Sequence, residues 1–71
     1  MVEVFKTSVT DKEVAEKIIS DLILQLPESK INFDLTDCDN ILRVESKNAI
    51  VVKSITEYLV RHGYICEVLE S

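Results

Sequence analysis

Residues 31–45 read Ile31-Asn32-Phe33-Asp34-Leu35-Thr36-Asp37-Cys38-Asp39-Asn40-Ile41-Leu42-Arg43-Val44-Glu45. Ile31, Phe33 and Leu35 alternate with Asn32 and Asp34. Because successive side chains of a strand point to opposite faces, this alternation predicts a strand with one buried face. The short polar side chains from Thr36 to Asn40 favour a turn, so Ile41–Glu45 returns as the partner strand of a hairpin, with Leu42 and Val44 facing inward.

Working upstream, Ala15, Ile18, Ile19, Leu22, Ile23 and Leu26 recur at helical spacing, while Lys12, Glu16, Lys17, Ser20 and Asp21 take the other side. Thr10 or Asp11 can cap this helix, and Glu13 follows Thr10 at the spacing of a capping box. Pro27 cannot continue the backbone ladder and disfavours helix at Leu26, which puts the end at about Gln25. Before the helix, Val2-Glu3-Val4-Phe5-Lys6-Thr7 alternates apolar or β-branched residues with charged ones, as a half-buried strand does.

Downstream, Ser46 or Asn48 can cap a second helix whose apolar positions are Val51, Val52, Ile55, Tyr58 and Leu59. The β-prone run from Ala49 to Val52 blurs its start. Gly63, the sole glycine, stands where a left-handed residue would end that helix. Tyr64-Ile65-Cys66-Glu67-Val68 then reads as a fourth strand, with Cys66 sharing the inward face with Tyr64 and Val68.

The order β-α-β-β-α-β with one apolar face on each helix predicts an α+β two-layer sandwich. With right-handed crossovers it resolves to a ferredoxin-like plait, a four-stranded antiparallel sheet in the order 4-1-3-2. At 71 residues the expectation is a single domain, 1–71.

Hydrophobic residues make up 46% and charged residues 30% of the chain, which suits a folded domain rather than a disordered one. Eight Lys and Arg against thirteen Asp and Glu give a net charge of −5, which opposes nucleic-acid binding. No apolar run is long enough for a membrane helix, so no membrane association is expected. Met1-Val2-Glu3-Val4-Phe5 lacks the residue order of a secretory signal, so a cytoplasmic location is expected. Cys38 and Cys66 fit two free thiols better than a disulfide framework.

Nearly the whole chain resembles the heavy-metal-associated domains of small copper chaperones and metal-transporting ATPases. Val14-Ala15 with Ile18 and Leu22 is similar to that family's first helix, Ile31-Asn32-Phe33-Asp34-Leu35 to its "V-x-V-D-L" strand, and Ile55-x-x-Tyr58-Leu59-x-x-His62-Gly63-Tyr64 to its closing "I-x-x-A-I-x-x-A-G-Y". The resemblance implies the same plait. Its metal loop is Met-x-Cys-x-x-Cys, whose soft thiolates suit Cu(I) and Zn(II). Here Val9-Thr10-Asp11-Lys12-Glu13-Val14 stands in register with it, Asp11 at the first cysteine and Val14 at the second. The thiolate pair is absent, and copper delivery through this loop is not expected.

The plait brings the loop after the first strand, the central hairpin and the entry to the fourth strand to one end. An alternative metal site there would use Asp11, Cys38 and His62, whose oxygen, sulfur and nitrogen are all ligands that Zn(II) accepts. The same residues have ordinary roles: Asp11 caps a helix, Asp37 and Asp39 shape the turn, and His62 is solvated near a helix end. No phosphate loop and no cysteine or serine beside a histidine point to catalysis, so no enzyme and no cofactor are expected. If the strands bury Phe5, Phe33, Leu35, Leu42, Val44 and Cys66, then Val4, Ile41 and Ile65 share the opposite face of the sheet. That face, or an edge strand, could meet a protein partner or a second copy. The expected function is a small binding or interaction module.

Overall fold

The computed structural model describes residues 1–36, 38–47, 49–50 and 52–69. Its elements follow in the order β1 (Val2–Thr7), α1 (Lys12–Gln25), β2 (Lys30–Asp34), β3 (Ile41–Glu45), α2 (Val52–Arg61) and β4 (Cys66–Val68). The strands form one four-stranded sheet in the order β2-β3-β1-β4, which is β4-β1-β3-β2 when read from the other edge. All three pairings are antiparallel.

Register explains the core. Leu42 stands opposite Phe5 on one side and Phe33 on the other, and Val44 stands opposite Ile31, so these residues share one face. Phe5, Ile31, Leu42 and Val44 are buried there with Ala15, Ile18 and Leu22 of α1, Ile55 and Leu59 of α2, and Val9 of the β1–α1 loop, all in one cluster. One sheet face is covered by both helices, and among the described residues the other carries no helix. The architecture is α+β in two layers.

The helix ends follow local chemistry. Asp11 is the N-cap of α1, its Oδ1 accepting the Glu13 N–H at 2.8 Å, so Asp11 rather than a Thr10 capping box starts the helix. At the far end the Leu26 N–H donates to the Leu22 carbonyl at 2.8 Å before Pro27 stops the ladder. α2 closes with the paired bonds of a Schellman end: Tyr64 N–H donates to Leu59 O at 2.9 Å and Gly63 N–H to Val60 O at 3.0 Å. Gly63 has φ of +86°, the left-handed conformation its position calls for.

Several boundaries differ from the sequence expectations. β4 begins at Cys66 rather than Tyr64, because the Tyr64 N–H closes α2 and the Ile65 N–H donates to Ser8 Oγ at 2.8 Å. α2 begins at Val52, later than a cap at Ser46 implies, and the Ser46 backbone exchanges bonds with Met1, at 2.9 and 2.5 Å, which prolongs the β1–β3 ladder. The other candidate cap, Asn48, and the helical position Val51 lie outside the described residues, as does Asp37 in the turn. Leu35 falls just beyond β2 and only packs against the core margin. Ile23 and Val68 are more exposed than an inward position implies, since Ile23 sits on a flank of α1 and Val68 on a short edge strand.

Candidate functional site

The β1–α1 loop, the β2–β3 hairpin and the entry to β4 meet at one end, joined by the dipeptide Thr7-Ser8. Thr7 donates its N–H to Asp39 O at 3.2 Å and its hydroxyl to Asn40 O at 2.7 Å, and its Oγ1 accepts the Val9 N–H at 3.2 Å. Ser8 donates its N–H to Ile65 O at 3.1 Å while Oγ accepts in return from Ile65 N–H. Asn40 can offer that carbonyl because it takes a left-handed φ of 47°, which asparagine tolerates better than most residues. Lys6 Nζ, 3.6 Å from Asp39 Oδ1, adds a solvent-exposed ion pair to the turn. Thr7 is buried and Val9 fully so, which fills the corner with a hydroxyl and an isopropyl group. Sequence reading passed over Thr7; its signal was a hydroxyl at an inward position of β1.

The three candidate ligands have separate surroundings. Asp11 caps α1. His62 stacks its ring on Tyr58 with centroids 4.3 Å apart, and its Nδ1–H donates to the Tyr58 carbonyl at 2.8 Å. Cys38 is an exposed free thiol in the hairpin turn. Among the described residues, no group of three or more His, Cys, Asp or Glu side chains is placed to share a metal ion. Val14, at the second ligand position of the resembled family, packs half-buried against the core.

Two titrating groups are perturbed. The Tyr58 phenol donates to Asp21 Oδ2, which ties α2 to α1. Burial, followed by that hydrogen bond and the Asp21 charge, pushes its pKa from 10.0 to about 12. Burial, with a smaller contribution from Glu67, pushes the free Cys66 thiol up from 9.0 to about 11. Both groups stay protonated at neutral pH, which suits packing rather than nucleophilic or general-base work.

The uncovered sheet face has a regular layout. Cross-strand rows run Lys30–Glu45–Val2, Asn32–Arg43–Val4 and Asp34–Ile41–Lys6–Glu67. Val4 and Ile41 are half-buried there. Ile65, two residues before Glu67 and therefore on the same side, is 63% exposed. The Leu69 N–H donates to Val4 O at 2.8 Å, which carries the β1–β4 pairing past β4 and sets Leu69 beside Val4. Val2 and Leu69 thus join Val4, Ile41 and Ile65. The parity of Val2 with Val4 was readable in the sequence, whereas Leu69 needed the pairing. A shallow depression of about 210 Å³ lies over β2 and β3, lined by Asn32, Phe33, Asp34, Ile41 and Arg43.

Among the described residues, no helix is long and apolar enough to cross a membrane. Compared with known proteins, the chain matches no family model, no curated protein and no solved structure.

Proposed function

We propose that this chain is a small, non-enzymatic interaction module on a ferredoxin-like plait, similar to a heavy-metal-associated domain without its thiolate pair, and that it meets a protein partner across the open sheet face. The observation that carries this reading is the composition of that face. Val2, Val4, Ile41, Ile65 and Leu69 stand among Lys6, Lys30 and Arg43 on one side of the charge balance and Asp34, Glu45 and Glu67 on the other. Apolar groups interspersed with charges of balanced sign are a mixture that a protein interface can use. The whole chain carries −5, whereas the charges of this face balance, so it repels an acidic partner less than the chain as a whole does.

The corner supports the same reading. Asp11, Thr7 and Val9 are engaged there in capping, turn bonds and core filling, and a binding module can use the rigid frame they build. Two unpaired thiols fit a reducing, cytoplasmic setting.

The test is a photo-reactive residue in place of Ile65, compared with one in place of Lys17 on the helical side. Capture of a defined protein from Ile65 and not from Lys17 supports the open face; equal capture, or none, sinks it. Titrating the reduced protein with Zn(II) and Cu(I) separates the alternative. The reading expects unchanged amide spectra, whereas selective shifts at Asp11, Cys38 and His62 would move the function to metal binding.

A further inference from the structure

We infer that the free edge of β2 pairs with the same edge of a second copy, antiparallel about Asn32, to join two sheets into one. This goes beyond the open-face reading and does not rest on it.

β2 is an edge strand with β3 on its inner side only. The phase of the sheet fixes which of its backbone groups point outward. Met1 and Ser46 exchange both backbone bonds, so in β1 the odd-numbered residues turn toward β3. Through the register, Leu42 and Val44 answer them. Ile41, Arg43 and Glu45 then turn toward β2 and meet Asp34, Asn32 and Lys30. Ile31 and Phe33 are left with their N–H and C=O groups directed at the open edge, as an edge strand presents them.

The sequence of that edge, Lys30-Ile31-Asn32-Phe33-Asp34, is complementary to itself when reversed. A two-fold axis at Asn32 sets Ile31 opposite Phe33 of the second copy, and these residues exchange backbone bonds. It sets Lys30 opposite Asp34 of the second copy in a non-hydrogen-bonded pair, where Cα atoms are about 4.5 Å apart and side chains approach most closely. Opposite charges meet at both ends of the ladder, and apolar side chains meet on the helix-facing side. A shift of the axis to Ile31 or Phe33 breaks the charge match. The two charges that guard this edge against other strands, Lys30 and Asp34, become a matched pair only when the strand meets its own sequence reversed.

The layer above agrees. Asp21 marks the flank of α1 that faces α2 through Tyr58, so helical spacing puts Ile19, Ile23 and Leu26 on the opposite flank, toward the β2 edge. Ile23 is 41% exposed, and Phe33 is only half-buried. Pairing the edges would bring α1 beside its symmetry mate and cover both. The contact is isologous and closes on itself, giving a dimer and not a fibre.

Sedimentation of the intact chain across a wide concentration range tests the proposal. A monomer–dimer equilibrium is expected. Lys30→Asp or Asp34→Lys alone sets like charges opposite each other twice per dimer and should weaken association roughly tenfold or more. The double reversal restores complementarity and should restore the dimer, a rescue that a general loss of stability would not give. Ile23→Lys, at an exposed position, should also weaken it with an unchanged circular dichroism spectrum. A chain monomeric at every concentration would overturn the inference. So would a dimer indifferent to the charge reversals, or one broken by Ile65→Glu, which points to the open face instead.

Discussion

Thr7 is the residue on which the end of the sheet depends. Its hydroxyl satisfies two backbone groups, one in the hairpin at a part-buried site and one in the β1–α1 loop at a buried site. Thr7→Val keeps the volume and strands the Asn40 carbonyl and the Val9 N–H. Leaving such groups unpaired should cost about 1–3 kcal/mol, read from urea denaturation midpoints at constant slope. The two cysteines provide a second check at this scale. With its thiol near 11, Cys66 is ionised to only about one part in ten thousand at pH 7. Thiolate is the reacting species, so an alkylating reagent should modify exposed Cys38 first and reach Cys66 only slowly or after unfolding. Mass spectrometry of partly alkylated protein would settle the order, and equal modification would contradict the packing of β4 described above.

Between elements, the bond from Tyr58 to Asp21 couples α2 to α1. The folded phenol holds its proton up to about 12 against an ordinary 10.0. Between these values the native state binds more protons than the unfolded one, so this contribution to stability is complete below pH 10 and is lost as pH rises toward 12. Absorbance titration should show a late-ionising phenol that vanishes in Tyr58→Phe. In Asp21→Asn it should ionise earlier, with burial alone keeping it above the ordinary value. A Tyr58 titration unmoved by Asp21→Asn would mean that the two helices are not joined there. The boundary between α2 and β4 belongs to this scale as well. Gly63 announces the helix end, yet Tyr64 and Ile65 give their amides to α2 and to Ser8, so pairing in the sheet waits until Cys66.

For the whole molecule, Leu42 is central: it stands between Phe5 and Phe33 and is fully buried under the helices. Truncating it to alanine opens a cavity that both layers line, and the expected loss is about 2–5 kcal/mol in thermal or chemical unfolding. In a domain this small such a loss approaches the total stability, so a Leu42→Ala chain that remains fully folded at elevated temperature would argue against a single shared core. The layout that concentrates the core on one face leaves the opposite face and the β2 edge as the surfaces through which the chain can meet another.

Hydrophobic alternation, helical spacing and end signals were enough to determine the order of the elements, a cap at Thr10 or Asp11, the stop before Pro27, the turn at Gly63 and the central hairpin, because each depends on residues close together in the chain. The same local signals put Val4, Ile41 and Ile65 on one side of the sheet. They did not reveal the role of Thr7, the place of Leu69, the late start of β4 or the pairing of Ser46 with Met1. Nor did they choose Asp11 over Thr10 as the cap, or show that His62 stacks on Tyr58 while Cys38 stands exposed. Those features were decided by the tertiary structure, since a backbone amide has one hydrogen to give and distant segments compete for it only once the chain has closed on itself.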